Sequence, residues 1–146
     1  MHKIQEGYAE MFRRYPQEIM VTLRFEDGKV NNFQFVYEKT REFVREVAKK
    51  HRTQVAGVAV FNCHRHPHLH MLLAGYTQSI RGLSVLDVER IWRHGSAFTK
   101  DCRGIGGSNY LALNITPHAD DKWDNYFFSK RLLKKAGVAF PTVGTA

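Results

Sequence analysis

Apolar residues recur at helical spacing in three stretches of the chain. Residues 3 to 14 place isoleucine, tyrosine, methionine and phenylalanine on one side, and Pro16 ends that stretch. Residues 33 to 51 repeat the pattern, with glutamates and basic residues between the apolar positions. In residues 84 to 93 the leading Ser84 is of a type preferred at a helix N-cap. The sequence therefore predicts amphipathic helices over these three ranges.

Runs rich in β-branched and aromatic residues lie between and after these helices. Ile19 to Phe25, Thr53 to Asn62 and about Pro67 to Gly75 are predicted strands. The connection over residues 62 to 66 is short, so the second and third strands should form an antiparallel hairpin. Asn109 to Ile115 is a fourth predicted strand.

The end of the chain completes the predicted order of elements. Asp120 can cap a final helix that reaches about Lys135. The order helix, β, α, β-β, α, β, α predicts the α+β class, with a central antiparallel sheet and helices packed mainly on one face. A ferredoxin-like arrangement suits this order, and it would leave the other face of the sheet open. We expect a single domain over residues 1–137 and a short C-terminal tail over 138–146.

Composition and charge narrow the classes of partner. The chain has 146 residues, of which 43% are hydrophobic and 25% charged, as in a soluble globular domain. Its net charge of +8 favours polyanionic partners, with nucleic acid first and an anionic membrane surface second. A basic domain without such a partner is the alternative interpretation.

Cysteines and apolar runs exclude several other classes. Cys63 and Cys102 are the only cysteines, and they form no CxxC pair, so a disulfide scaffold or a zinc ribbon is not indicated. No apolar run approaches the ~20 residues of a membrane span. The first residues also lack the apolar stretch of a secretory signal. We therefore expect a cytoplasmic protein with no membrane partner.

Three histidines alternate with other residues at the start of the third predicted strand. His66, His68 and His70 would lie on one side of an extended strand, with apolar side chains on the other. Histidine is the commonest metal ligand in proteins, and two imidazoles at this spacing can reach one ion. A solvated histidine cluster is the alternative, but the apolar alternation through His66 to Leu73 argues against it.

A second candidate for chemistry lies near the C-terminus. Tyr126 and Lys130 are four residues apart, so on the predicted final helix they would share a face. A tyrosine nucleophile benefits from a nearby cation, because its phenol has a reference pKa near ~10. The alternative is that Tyr126 is a packing residue and Lys130 a surface charge.

Three segments together resemble the HUH superfamily of single-strand DNA nucleases, which includes rolling-circle replication initiators, relaxases and related transposases. Val21 to Phe25 resembles the first motif of the initiators, a strand with a Thr-Leu core. His68 to Leu73 resembles the second motif, which supplies a pair of metal-binding histidines. Trp123 to Lys130, with the pattern Trp-x-x-Tyr-Phe-x-x-Lys, resembles the third motif, which supplies the nucleophile.

The resemblance implies a metal-dependent endonuclease that nicks and rejoins single-stranded DNA through a 5′-phosphotyrosyl intermediate. Tyr126 would be the nucleophile, Lys130 would stabilise charge, and His68 and His70 would bind Mn²⁺ or Mg²⁺; ligand chemistry alone would equally allow zinc. The expected partner is single-stranded DNA with a hairpin or origin sequence. The protein could then be associated with a nucleoid or a replicon.

The chain departs from the family pattern at the third metal ligand. Many initiators have an acidic residue on the preceding strand, but Val55 to Phe61 contains none. His66 is the preferred replacement, and His64 is the other candidate. Three alternatives therefore remain: a single-tyrosine transposase of the same superfamily, a non-catalytic nucleic-acid-binding module on this fold, and a small histidine-rich metal-binding protein.

Phosphate contacts need basic side chains beside the proposed site. The candidates are Arg24, Lys100, Arg103 and Arg131, with Lys134 in addition. The glycine-rich segment over 103–108 could follow a nucleic-acid backbone. Tyr110 is interpreted either as a core residue or as a residue that stacks on DNA bases.

Overall fold

The computed structural model describes residues 3–13, 17–26, 28, 30, 32–62, 66–102, 107–113 and the strand 126–128. These ranges contain four helices and five strands. In chain order the elements are α1 (Lys3–Phe12), β1 (Ile19–Arg24), α2 (Phe33–His51), β2 (Val55–Asn62), β3 (His68–Gly75), α3 (Val85–Ile91), β4 (Ala97–Asp101), α4 (Gly107–Leu113) and β5 (Tyr126–Phe128).

The strands form one antiparallel sheet in the order β4-β1-β3-β2-β5. β2 and β3 pair along their whole length, from Val55 opposite Gly75 to Asn62 opposite His68, so the predicted hairpin is confirmed. The helices pack against this sheet, and the predicted α+β class is confirmed. The ferredoxin-like label stays a prediction.

The helix ends follow the local sequence. Asn32 caps α2 by accepting a hydrogen bond from the Phe35 N–H, and Ser84 forms a reciprocal capping box with Asp87 at the start of α3. Arg52 ends α2 in the left-handed conformation, with φ of 52°. The predicted helices over 33–51 and 84–93 are therefore confirmed, as is the first helix, which ends at Phe12.

One face of the sheet carries the larger core, and we call it the first face. Alternate residues of β1 and β3 are fully buried there beneath α2 and α3. The ring of Trp92 meets those of Phe25 and Phe43 edge to face, with centroids 5.0 and 6.2 Å apart. This aromatic cluster fills part of the core on the first face.

The opposite side of the sheet, the second face, is covered only in part. A smaller cluster joins Phe12 of α1 and Leu111 of α4 to Leu72 of β3 and to Val58 and Val60 of β2. The expectation of an open histidine face is therefore corrected, because α1 and α4 close one end of it. Apolar residues at this end of β2 and β3 require such a cover.

Two predicted elements near the C-terminus are wrong in type. Residues 107–113 form helix α4, where the sequence analysis expected a strand over Asn109 to Ile115. The buried residues Ser108, Leu111 and Ala112 have helical spacing, and a short apolar run fits either period. The final helix over 120–135 is also wrong at 126–128, which form β5 beside β2. The rest of that range lies outside the described residues.

Strand β4 was not predicted from the sequence. Its second residue, Phe98, is exposed and only Ala97 is buried, so the segment lacks the apolar run that marks a central strand. It pairs with β1 and forms an edge of the sheet. Among the described helices, none is long and apolar enough to cross a membrane.

Candidate metal and nucleic-acid site

The strand register arranges the second face as three rows that run across the sheet. Residues paired across antiparallel strands lie on the same face, and alternate positions along each strand repeat that face. The outer row is Arg24, His68 and Asn62; the middle row is Phe98, Thr22, His70, Val60 and the backbone position of Tyr126; the inner row is Lys100, Met20, Leu72, Val58 and the backbone position of Phe128.

The two histidines of β3 form a compact pair. The centroids of the His68 and His70 rings are 4.9 Å apart, and their planes are inclined at 78°. The His68 Nδ1 lies 2.8 Å from the backbone carbonyl of His66. Because a carbonyl oxygen only accepts, Nδ1 carries the proton, and the lone pair of the neutral ring is on Nε2. A backbone carbonyl fixes metal-binding histidines in this tautomer in many proteins.

The second imidazole is held from the neighbouring strand. His70 Nδ1 lies 2.9 Å from Thr22 Oγ1, a contact between directly paired residues of β1 and β3. Burial, and after it the electrostatic influence of His68 and Arg24, lowers the pKa of His70 to about 4. His70 is therefore neutral at physiological pH, which is the protonation state that a metal ligand needs.

The two imidazoles are chemically suited to a divalent ion, but the residue that would supply a third ligand is not identified. Among the described residues, no group of three His, Cys, Asp or Glu side chains could hold a metal ion. His66, the preferred candidate, is exposed and contributes its carbonyl to the orientation of His68. His64, the other candidate, lies outside the described residues.

Tyr126 is placed by its backbone alone. It is opposite Val60 of β2, and Val60 is opposite His70, so all three share the middle row. Because Tyr126 lies on a strand, the shared helix face predicted for Tyr126 and Lys130 is wrong. Lys130 itself lies outside the described residues.

Two of the predicted phosphate-binding residues lie on the second face. Arg24 and Lys100 are both exposed, and the paired partner of Arg24 is His68. The Arg24 carbonyl accepts a hydrogen bond of 2.8 Å from Trp92 Nε1, which anchors the end of β1. Arg103 and Arg131 lie outside the described residues, as does Lys134.

The structure adds three residues whose position sequence reasoning did not establish. Thr22 belongs to the first motif, but its contact with His70 follows only from the register of β1 and β3. Tyr110 of α4 places its ring 4.9 Å from that of His70, at 80°. Phe98 is 53% exposed at the β4 end of the middle row. The segment Ala97 to Lys100 has two apolar residues followed by two polar ones, so no strand alternation in the sequence indicated its position.

Comparisons with known proteins leave the site to be interpreted from its own chemistry. No protein-family model matches this chain, and neither the curated proteins nor the solved structures contain a match. The family resemblance therefore rests on the three sequence motifs. The histidine pair, its two orienting contacts and the basic side chains beside it are the features from which a function is argued.

Proposed function

We propose that the protein is a metal-dependent, site-specific endonuclease and strand transferase that acts on single-stranded DNA. One observation carries the proposal: His70, which forms an oriented pair with His68, lies in the same row of the sheet as Tyr126. Two strand spacings, about 10 Å, separate the backbones of His70 and Tyr126. A tyrosine side chain, a phosphate and a histidine-bound ion can together fill such a span.

The histidine pair would bind the divalent ion, Mn²⁺ or Mg²⁺, through its ring nitrogens. When bound, the ion supplies positive charge beside the scissile phosphate. Thr22 and the His66 carbonyl hold the two rings in place, so little ordering is needed when the ion binds. The low pKa of His70 keeps that ligand unprotonated at neutral pH.

Tyr126 would carry out the covalent step. Its phenolic oxygen forms a bond to phosphorus as the bond between phosphorus and the 3′ oxygen breaks. The tyrosine proton leaves to solvent or to a nearby base, and the departing oxygen takes up a proton as a 3′-hydroxyl. Because the phosphodiester bond energy is kept in the phosphotyrosyl link, the reverse attack by a 3′-hydroxyl rejoins strands.

The charge of the second face supports a polyanionic substrate. Arg24 and Lys100 extend from the exposed part of that face, and the whole chain has a net charge of +8. Among the described strand positions of the second face there is no aspartate or glutamate. These strand positions therefore add no negative charge that would repel a phosphate near the histidine pair.

A second candidate function is a nucleic-acid-binding module without catalysis. It is favoured by the lack of a third metal-binding side chain among the described residues. A single-tyrosine transposase is a further alternative within the same superfamily and would use the same histidine pair.

Formation of a covalent protein–DNA adduct tests the proposal. The protein is incubated with Mn²⁺ and a labelled library of single-stranded hairpins, and adducts that resist denaturant are separated on a gel. We expect an adduct with the wild type and none with Tyr126→Phe, His68→Ala or His70→Ala. Tyr37→Phe, on helix α2, is the matched control and should form the adduct at the wild-type level.

His66→Ala separates two roles of that residue. The backbone carbonyl that orients His68 is retained in this variant, so an unchanged yield of adduct shows that the His66 side chain is not a ligand. DNA binding without an adduct, under all metals tried, favours the non-catalytic module. A free 3′ end without protein attached would show that water is the nucleophile.

A further inference from the structure

An aromatic side chain is exposed on the edge strand beside the proposed site. Phe98 of β4 is 53% exposed and lies in the middle row, directly opposite Thr22, which contacts His70. Burial of a phenylalanine side chain is favourable, so its exposure at an ordered strand position leaves that stabilisation unused in the folded chain. A ligand that covers the Phe98 ring would gain this stabilisation when it binds.

A second exposed aromatic ring lies against the same histidine. Tyr110 of α4 is 46% exposed, and its ring meets that of His70 edge to face. Phe98 of β4 is paired with Thr22, and Tyr110 of α4 contacts His70, so each residue of the Thr22–His70 contact has an exposed aromatic neighbour. Aromatic rings that face solvent beside basic groups are the arrangement that binds unpaired bases.

A basic residue lies next to one of these rings on β4. Lys100 follows Phe98 on the same face of β4, about 7 Å further along the strand. That interval is comparable to one nucleotide of an extended single strand. Lys100 pairs with Met20 near the start of β1, whereas Arg24 is the last residue of that strand. The described positions of β4 therefore offer one ring and one cation, at a spacing that suits a single nucleotide.

We propose that β4 is the strand that receives the single-stranded substrate, with one base stacked on Phe98 and the adjoining phosphate bound by Lys100. This inference rests on the proposed function for the identity of the substrate. Phe98 acts as a positioning residue, because it holds the nucleic acid beside the histidine pair and takes no part in bond breaking. A duplex would be a poor ligand, since its bases are already stacked.

Metal-free binding tests the assignment separately from catalysis. The affinity for a fluorescent single-stranded oligonucleotide, of the sequence most enriched in adducts or of mixed sequence, is measured by anisotropy in EDTA. Phe98→Leu keeps an apolar side chain but loses the π face, and we expect its affinity to fall about 5- to 100-fold. Phe98→Trp should bind at least as tightly as the wild type.

Leu86→Ala is the matched control. Leu86 is 63% exposed on α3, which packs on the first face, so its loss should leave oligonucleotide affinity unchanged. Lys100→Gln should weaken binding and reduce the salt dependence by about one released counterion. Competition with the corresponding duplex should be weak.

Two results would overturn the assignment of β4. The first is a Phe98→Leu protein that binds the single strand as tightly as the wild type. The second is equal loss of affinity in Phe98→Leu for single strand and duplex, which would exclude base stacking. Failure of the proposed function has a different signature, because binding would still depend on Phe98 while no adduct forms.

Discussion

The two faces of the sheet are built from the same strands, yet only one of them is closed. On the first face, Leu69, Met71 and Leu73 of β3 are all buried beneath α2 and α3. On the second face, burial declines along the same strand, from the fully buried Leu72, through His70 at 4% exposure, to His68, which is only half-buried. The candidate site lies where the cover supplied by α1 and α4 ends.

This difference shows how one strand serves both stability and chemistry. Because side chains alternate across a strand, β3 keeps a continuous apolar row on one face while its other face changes from leucine to histidine. The helices over the first face therefore fix the strand, and the imidazoles on the second face need contribute little to folding. At the margin of the core, the His70 imidazole is desolvated enough to stay neutral but remains within reach of a ligand.

The largest effect is expected from a truncation on the first face. Phe43 of α2 is 2% exposed and packs edge to face on Trp92. Phe43→Ala removes this ring and leaves a cavity, so the free energy of unfolding should fall by about 3–5 kcal/mol in urea titrations. A loss below about 1 kcal/mol would contradict the picture of a closed first face. Phe43→Leu, which fills more of the cavity, should lose clearly less.

The elements that form the first face were those most readily predicted from sequence. The helix over 33–51 and the hairpin of β2 and β3 appear in the structure with bounds that differ by at most two residues. Their periodic apolar patterns extend over many residues, so the helical and strand periods cannot be confused. The helix α4 and the strand β5 were predicted in the wrong class because each is short and its pattern fits both periods.

The candidate site could be predicted only in part. The alternation of His68 and His70 was visible in the sequence, since it depends on neighbours along one strand. The contact between Thr22 and His70 depends on the pairing of β1 with β3, 48 residues apart in the chain. Phe98 was missed for the same reason, because its proximity to Thr22 follows from the pairing of β4 with β1. The pairing of residues on different strands is set by the whole sheet, so local sequence patterns do not reveal it.

The next effect concerns the pH dependence of stability through His70. Its pKa is about 4 in the folded protein against an ordinary value of 6.5, so the unfolded chain binds the proton more readily. The part of the free energy of unfolding that depends on a neutral His70 is fully present above pH 6.5. It is lost as the pH falls toward 4, by up to about 3 kcal/mol. The wild-type free energy of unfolding should therefore decrease between pH 6.5 and 5, before most carboxylates titrate.

His70→Gln should flatten this dependence. The amide side chain does not titrate, and it retains groups that can hydrogen-bond with Thr22. Urea titrations of both proteins at several pH values give the difference directly. A wild-type protein that becomes more stable on acidification in this window, relative to His70→Gln, would show that the second face stabilises the charged imidazole.

A smaller effect on stability, but a clear one on metal binding, is expected for Thr22→Val. Valine keeps the shape of the side chain and removes the hydrogen bond between Oγ1 and His70 Nδ1. The free energy of unfolding should fall by about 1 kcal/mol. The Mn²⁺ affinity, measured by calorimetry, should fall about 10- to 100-fold, because an orienting contact of a ligand is lost.

A threonine on the first face supplies the matched control for that prediction. Thr99 of β4 pairs with Val21, and its buried Oγ1 has no hydrogen-bond partner among the described residues. Thr99→Val therefore removes an unsatisfied hydroxyl, and it should leave stability unchanged or raise it, with unchanged metal affinity. Equal losses in both variants would show that the Thr22 hydroxyl has no special role at the histidine pair.

The smallest effect on stability is expected at Phe98, where the second face is most exposed. More than half of this side chain is already in contact with solvent, so Phe98→Leu should change the free energy of unfolding by no more than about 0.5 kcal/mol. The same variant is expected to lose affinity for single-stranded DNA, and the two measurements together decide what the ring does. A loss of stability comparable to that of Phe43→Ala would mean that Phe98 packs in a core of the folded protein. Its weaker DNA binding would then reflect damage to β4, because a ring that is already buried has no face to offer a base.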